Sequence, residues 1–502
     1  MISKIREFSI KNKTLAEAIE YMVLFLFSIL FLLIFSLWTS PLYKNWYGCD
    51  ASFFTMAGRG IINGWVPYRD FFDLKGPYFF FLEALGQFLC EGRTGAFIIQ
   101  VFALFFALTL MIKTCRLFVS SRKTAFITGI FLIFHASTLW GGNTLEEFAL
   151  PLNLLVIYLT LRDLQQDDNI RSSSSLVTGL CFAVMLFSKA TVAAPLIGLV
   201  LSIIIYFIKS RRFYNLLAYL IYAFLGTLLG ITPIFIYFFM HGMLSDMLYA
   251  VFLFAFKRST DFGTDFSISW ELKISGCYFA IVFVLCQIKK KNTDVKKPKL
   301  CNFMLTSIFL MALITAILLH LGDPFIYYFT TVYPIIMLTF AVMFIIYDPF
   351  ILFRKWRLDV PIIAFCIFMC YFASHTANQL HTVIYDRDNT YYQTYVDQAR
   401  EMAGLIPSGD RDNVYSVNMD MQWFECNKIL PCYSYTINLQ FFVALDQQIE
   451  DNIIYKLNND PPKWIVVGGD LASYLPNIND VIVPKYTEVY KNDYGALLLL
   501  NP

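Results

Sequence analysis

The sequence contains little charge for its length. Of its 502 residues, only 15% are Asp, Glu, Lys or Arg, whereas 58% are hydrophobic and the mean hydropathy is +0.58. A soluble core of this size could not bury so much apolar surface, so the composition places most of the chain in lipid. The net charge is only +2, which gives no argument for nucleic acid as a partner.

The sequence also lacks the motifs of metal- and nucleotide-dependent enzymes. Its five histidines are scattered singly, and none of its 11 cysteines forms a CxxC pair or a Cys/His cluster. No phosphate-binding glycine-rich loop, HExxH sequence or nucleophile elbow is present. We therefore name no cofactor, and nothing in the sequence supports a divalent metal. The spacing of Cys426 and Cys432 permits a disulfide without requiring one.

Apolar segments recur over the first three quarters of the chain and predict about 11 transmembrane helices. Their ranges are 21–39, 94–112, 124–140, 148–161, 176–190, 193–208, 214–240, 274–288, 301–320, 326–347 and 358–376. With a cytoplasmic N-terminus, the inner segments carry 22 Lys and Arg residues and the outer segments carry nine. This asymmetry agrees with the positive-inside rule. The first segment lacks a small-residue cleavage site, so we predict a retained helix in the plasma membrane.

The hydropathy changes after residue 376. An amphipathic stretch at 391–402 is followed by short strand-like runs at 414–417, 464–467 and 496–500. We therefore predict a polytopic α-helical membrane domain at 1–376, with a large first outer loop at 40–93, and a small C-terminal α/β domain at 377–502. An odd number of spans places this second domain outside the cytoplasm.

The first outer loop carries more ionic and turn-forming residues than a connection between two spans needs. Asp50 follows the first span, and about two dozen residues later one loop holds Arg69, Asp70, Asp73 and Lys75. We interpret this loop as part of an active site, and the alternative role of Asp50 is to cap the next helix. The run 78–89 then predicts a short apolar helix along the interface, with Glu83 and Gln87 on its polar side.

Three further outer segments carry charges that could face the same cavity. Glu146 and Glu147 stand at the start of a span, where complementing the helix dipole is the simpler explanation. Residues 176–208 have to cross twice, so at least one helix there is short or tilted, and Lys189 lies near the outer tip of this hairpin. Snorkelling is the alternative for Lys189. Arg258 lies in the third of these segments, and like Lys189 it is an exception to the positive-inside rule. Cations gathered on the outer face suggest an anionic ligand such as a lipid phosphate.

These features together resemble the C-type glycosyltransferase superfamily. The closest likeness is to its bacterial branch, which is related to protein O-mannosyltransferases and lipid A aminoarabinose transferases. The resembling residues are Asp50, the segment 64–70, Lys75 with Gly76 and Pro77, the loop 143–147, and 187–189. Relatives often pair the first-loop Asp with a Glu, whereas residue 51 is Ala here, so a metal bridged by such a pair is not expected.

The resemblance implies transfer of a sugar from a polyprenyl-phosphate carrier to an envelope acceptor on the outer face, typically with inversion. It assigns Asp50 to the acceptor as a general base or orienting group, and Glu146 and Glu147 are the further catalytic candidates. The candidates for substrate binding are Tyr68, Arg69, Asp73, Lys75, Lys189, Arg258 and Tyr328. The cations among them would stabilise the leaving lipid phosphate.

Two other functions fit the same composition. A flippase or transporter for lipid-linked sugars would favour inverted repeats and ionisable residues at mid-membrane depth, whereas the charges here concentrate on the outer face. A polysaccharide polymerase or ligase would be expected to have its main outer loop late in the chain. The sequence names neither the sugar nor the acceptor, because both are selected by the shape of a pocket.

Overall fold

The N-terminal part of the protein is built from helices. The computed structural model describes residues 2–139, 141–261, 298–320, 325–346 and 390–502, and short stretches between 279 and 289 and between 374 and 386. The helices are α1 Ile2–Phe35, α2 Cys49–Ile62, α3 Pro77–Leu89, α4 Arg93–Arg116, α5 Ser121–Thr138, α6 Leu145–Asp167, α7 Ser172–Leu186, α8 Ala194–Lys209, α9 Phe213–Met240, α10 Leu244–Leu248, α11 Ala255–Asp261, α12 Pro298–His320 and α13 Tyr333–Ile346.

Six segments of these described residues are long and apolar enough to cross a membrane, as expected of a multi-pass membrane protein. They are Thr14–Phe35, Arg93–Arg116, Ala190–Lys209, Phe213–Met240, Pro298–His320 and Ile326–Ile346. Helices α5, α6 and the shorter apolar α7 cover three more of the predicted spans. The predicted span at 358–376 lies almost wholly outside the described residues, and 274–288 does so in part. The total of 11 therefore stays a prediction.

Small residues allow these helices to pack closely. A Cβ atom on Gly179 of α7 would lie 1.8 Å from the backbone oxygen of Ala223 in α9. In the same way, a Cβ atom on Gly226 would lie 1.9 Å from the backbone oxygen of Leu176. Close backbone approach of this kind is a main source of helix association in lipid. Helix α7 has only 15 residues, which agrees with the short helix predicted for this hairpin.

Helices α2 and α3 are largely buried, and the polar side predicted for α3 is covered. The structure confirms the helix at 78–89, but Glu83 and Gln87 are only 2% and 3% exposed. Gly58 of α2 brings the two helices together, because a Cβ atom there would lie 2.7 Å from the backbone of Glu83. Gln87 bonds to the backbone of Gly92, with its Oε1 accepting from the amide at 2.7 Å. The polar side of α3 is therefore buried inside the protein and does not lie at the surface.

The C-terminal part contains a four-stranded sheet with the order β1-β2-β4-β3. The strands are β1 Val414–Val417, β2 Trp464–Val467, β3 Tyr486–Asn492 and β4 Gly495–Leu500. The accompanying helices are α14 Thr390–Gly404, α15 Met421–Asn427, α16 Leu439–Leu445, α17 Gln447–Asn459, α18 Leu471–Tyr474 and α19 Pro476–Ile482. Strands β1 and β2 pair in parallel, and the other two pairings are antiparallel. The three predicted strands and the predicted helix are confirmed, and β3 was missed.

The C-terminal part packs on the end of the helical bundle that carries the first loop. Glu425 of α15 forms a buried ion pair with Arg59 of α2 at 2.8 Å. The backbone amide of Phe72 donates to the carbonyl of Ser434 at 2.9 Å. We call this end of the bundle the loop face. In the described residues Cys426 and Cys432 are both free thiols, so the permitted disulfide is not formed.

Candidate active site

A cavity of about 610 Å³ lies at the loop face. The first outer loop and the three further outer segments that carry charge all contribute residues to its wall. These residues include Asp50, Asp73 and Lys75 from the first loop, Asn143 and Glu146 from the second, Lys189, Arg258, and Tyr327 with Tyr328. Asn438, Phe441 and Phe442 of the C-terminal part complete the wall. The charged loops that the sequence placed on one side of the membrane therefore converge on one site.

Asp50 stands in the first turn of α2, where the partial positive charge of a helix N-terminus favours a carboxylate. The residue that precedes the helix is Gly48, and no side chain caps this end. The alternative role of Asp50 as a helix cap is therefore not seen. Among the described residues, no group donates a hydrogen bond to the Asp50 carboxylate. The residue is partly exposed and lines the cavity.

Lys75 is held next to Asp73 and within electrostatic reach of Asp50. Its Nζ lies 3.3 Å from the Asp73 carboxylate, which also accepts from the backbone amide of Lys75 at 3.0 Å. Burial by itself lowers the pKa of Lys75, but the attraction of Asp73 and then of Asp50 outweighs it, so the pKa is raised. Lys75 is consequently a firmly protonated ammonium group in the cavity wall.

Gly76 brings the first loop against the α7–α8 hairpin. Its amide donates to the carbonyl of Ser188 at 2.7 Å, and a Cβ atom on Gly76 would lie 2.0 Å from the carbonyl oxygen of Phe187. Only glycine fits so close an approach of two backbones. This contact sets Lys75 of the loop and Lys189 of the hairpin in the same wall.

Lys189 is paired with Glu146 at the start of α6. The Nζ lies 2.7 Å from Glu146 Oε1, and only 15% and 2% of the two side chains are exposed. The same ammonium lies 3.8 Å from the ring centroid of Tyr328, a cation–π contact. A lysine that snorkels to bulk water would not make these contacts. The structure therefore gives Lys189 a specific partner and an aromatic wall.

Arg258 and the C-terminal part form the remaining wall. The Arg258 guanidinium lies 5.0 Å from the ring centroid of Phe441 in α16. Phe442 packs edge-on against Phe72 and Phe254, with centroids 5.6 and 5.3 Å apart. No charge or turn motif in the sequence pointed to this aromatic segment, and only its docking on the loop face reveals it.

Three of the residues predicted from the sequence lie outside the cavity wall. Tyr68 is buried behind it and donates its hydroxyl to the carbonyl of Lys75 at 2.8 Å, which supports the loop. Arg69 is an exposed partner of Asp70 at 2.7 Å. Glu147 forms the capping box of α6 with Thr144 and accepts a hydrogen bond from Gln100 at 2.8 Å. The remaining seven predicted residues line the cavity.

No metal site accompanies these residues in the part of the chain that the structure describes. There, no three His, Cys, Asp or Glu side chains are grouped closely enough to hold an ion. Asp73 and Glu146 in the wall are instead paired with lysines, and Asp50 forms no ion pair with a described residue. The chemistry that this wall offers is anion binding beside a carboxylate open to a proton.

Comparison with solved structures identifies the fold. No protein-family model and no curated protein sequence matches the chain. The crystal structure of ArnT from Cupriavidus metallidurans bound to undecaprenyl phosphate superposes with a TM-score of 0.58 at 14% identity, covering 95% of this chain and 98% of ArnT. The same protein in its apo state gives a TM-score of 0.47 at 15% identity over 96% and 98% of the two chains. ArnT is a lipid A aminoarabinose transferase with the C-type glycosyltransferase fold. The bound form thus confirms that fold for this chain.

Proposed function

We propose that the protein is a membrane glycosyltransferase that moves a sugar from a polyprenyl-phosphate donor to a cell-envelope acceptor. The observation that carries the proposal is the cavity wall, which contains three cations, Lys75, Lys189 and Arg258, together with Asp50, a carboxylate that accepts no hydrogen bond from a described residue. A lipid phosphate needs cations, and an acceptor hydroxyl needs a base within hydrogen-bond reach. The bound ArnT structure supports the donor class, because its ligand is undecaprenyl phosphate.

The reaction is a single displacement. The acceptor hydroxyl oxygen attacks the anomeric carbon, and Asp50 takes the hydroxyl proton. The bond from that carbon to the phosphate oxygen breaks, and the polyprenyl phosphate leaves with the bonding electrons, so the configuration inverts. Lys75, Lys189 and Arg258 stabilise the charge that builds on the phosphate, and Asp73 and Glu146 hold the two lysines in position.

The proposal includes an orientation in the plasma membrane. The loop face and the C-terminal domain, residues 377–502, are extracytoplasmic, and the N-terminus is cytoplasmic. The excess of Lys and Arg in the opposite loops supports this orientation. Residues 1–376 then form the catalytic membrane domain. A flippase for lipid-linked sugars has less support, because it would not need an open carboxylate beside the phosphate-binding cations.

The test is sugar transfer by the purified protein in nanodiscs. Undecaprenyl phosphate carrying a radiolabelled sugar is supplied with an envelope extract, and label transfer and release of undecaprenyl phosphate are measured. Asp50→Asn keeps size and polarity but removes the base, so we expect transfer to fall by about 10²–10⁴-fold. Binding of undecaprenyl phosphate should be unchanged, because Asp50 serves the acceptor.

Asp246→Asn is the matched control, because this exposed carboxylate of α10 lies outside the cavity. It should transfer sugar at the parent rate. Transfer at the parent rate by Asp50→Asn would show that Asp50 is not the base. A parent protein that binds no undecaprenyl phosphate would contradict the proposed function itself.

A further inference from the structure

A second cavity of about 460 Å³ lies beside the candidate active site, between the first loop and the C-terminal part. Trp38 and Cys49 belong to the walls of both cavities. Its volume is within the range of about 300–1,000 Å³ that is usual for small-molecule sites. Because Asp50 directly follows Cys49, a ligand in the second cavity would lie next to the proposed base.

Aromatic side chains dominate this second wall. They are Trp38, Tyr47, Tyr391, Tyr392, Tyr395 and Tyr494. Tyr391 is 61% exposed and meets Tyr392 nearly edge-on, with ring centroids 5.3 Å apart. Tyrosine combines an apolar ring face with a polar hydroxyl. This combination suits a ligand that presents both C–H faces and hydroxyl groups, as a pyranose sugar does.

The polar groups of this wall can accept hydrogen bonds from hydroxyls. The amide nitrogen of Asn418 donates to the carbonyl of Gly468 at 3.2 Å, and that of Gln422 donates to Asp420 at 2.9 Å. Within the described part of the chain, neither amide oxygen accepts a hydrogen bond. Each amide is thus oriented by its nitrogen and leaves an oxygen for a ligand.

A buried hydroxyl in the same wall also lacks a partner. Tyr395 is 8% exposed, and its phenolic oxygen makes no hydrogen bond with any residue that the structure describes. Leaving a buried polar group unpaired destabilises a fold. A ligand hydroxyl that reached this oxygen would remove that cost.

We propose that the second cavity binds a neutral or amino sugar of the acceptor, which is therefore a glycan or carries one. The proposal rests on the transfer reaction above and narrows its acceptor. Three cations line the first cavity and suit the donor phosphate, whereas the described lining of the second has the Asp420 carboxylate and no cation. This charge disfavours an acidic sugar. A sugar bound there would lie next to a donor bound in the first cavity, because Trp38 and Cys49 line both cavities.

The test is glycan binding by the full-length protein in nanodiscs, on an array of neutral, amino and acidic oligosaccharides and Ser/Thr-rich peptides. We expect retention of neutral or amino oligosaccharides. Tyr391→Ala should weaken it about tenfold, the size of effect expected for one lost aromatic contact. Tyr395→Phe should weaken it about threefold to tenfold without lowering the thermal unfolding midpoint, because it deletes only an unpaired hydroxyl.

Tyr455→Ala is the matched control, since this tyrosine of α17 is 67% exposed and lines neither cavity. Undecaprenyl-phosphate binding is measured on each variant. Loss of glycan binding with undecaprenyl-phosphate binding intact supports the sugar site. No glycan binding by the parent, equal binding by Tyr391→Ala, or retention of acidic glycans or peptides instead would overturn the sugar site and leave the glycosyltransferase proposal standing.

Discussion

Replacing Lys189 separates its structural role from its role toward the donor. If Lys189 only snorkelled to the membrane surface, which is the alternative that the sequence allows, Lys189→Met would remove a charge and leave the fold intact. The structure changes this expectation, because the ammonium lies 2.7 Å from Glu146, a carboxylate whose side chain is only 2% exposed. Methionine would leave Glu146 buried without its cation. Removing one partner of a buried ion pair costs about 3–5 kcal/mol in the free energy of unfolding.

The double variant Lys189→Met/Glu146→Gln isolates the second role. It removes both charges together, and replacing a buried pair by uncharged side chains is often close to neutral. We expect the thermal unfolding midpoint to fall for Lys189→Met and to return close to the parent value for the double variant. Affinity for undecaprenyl phosphate should stay low in both, because neither has the cation.

The assays are thermal unfolding and undecaprenyl-phosphate binding, both on protein in nanodiscs. Exposed Lys428, which pairs with Glu91 at 3.0 Å, offers the matched control Lys428→Met, for which both measurements should stay near the parent values. If the double variant regains stability and also binds undecaprenyl phosphate like the parent, Lys189 serves only the fold. If Lys189→Met is as stable as the parent, the inferred burial of the pair is wrong.

Two further predictions follow from the packing of the first loop. Gly76→Ala should lower both stability and transfer, because its Cβ would meet the Phe187 carbonyl at 2.0 Å; Gly64→Ala, which has open space around its Cβ but a φ of +94°, is the control for backbone strain alone. Burial raises the pKa of Glu83 from 4.5 to about 8. The folded protein therefore holds more protons than the unfolded chain between these values and loses stability as the pH rises. When measured at a pH above 8, the thermal unfolding midpoint of Glu83→Gln should be higher than that of the parent. At pH 4 the two midpoints should be nearly equal. An equal effect at both pH values would contradict the raised pKa of Glu83.

Hydropathy and alternation were sufficient for most of the elements. Long apolar runs predicted the described membrane-spanning helices, and the strands 414–417 and 464–467 were predicted with the bounds they have. Strand β3 was missed because most of its residues are exposed or half-buried, so it lacks an apolar signal. The burial of Glu83 and Gln87 was not foreseen for a related reason. The pattern of one helix shows that a side is polar, but not that another helix covers it.

The sequence predicted those residues of the site that are charged and lie in outer segments, where few basic residues are expected. The parity of the spans and the cations that break the positive-inside pattern brought Lys75, Lys189 and Arg258 to one face, and the structure sets all three in one wall. Arg69 and Glu147 are also charged residues of the outer segments, but each binds a residue close to it in the sequence, Asp70 and Thr144 respectively. The sequence does not show which charged residues are paired in this way. The contribution of the C-terminal part, Asn438 with its neighbouring phenylalanines, depends on docking between distant segments.

The balance of charge in the cavity bears on how a phosphate could bind there. Asp73 and Glu146 already neutralise Lys75 and Lys189, so the wall does not attract an anion by net charge alone. An ammonium group has three N–H donors, however, and one carboxylate contact leaves others for a phosphate oxygen. The carboxylates therefore keep two cations fixed in a largely buried site before the donor arrives. When the glycosidic bond breaks and charge grows on the phosphate, these cations stabilise it without having to move, which is the condition for a large electrostatic contribution to the rate.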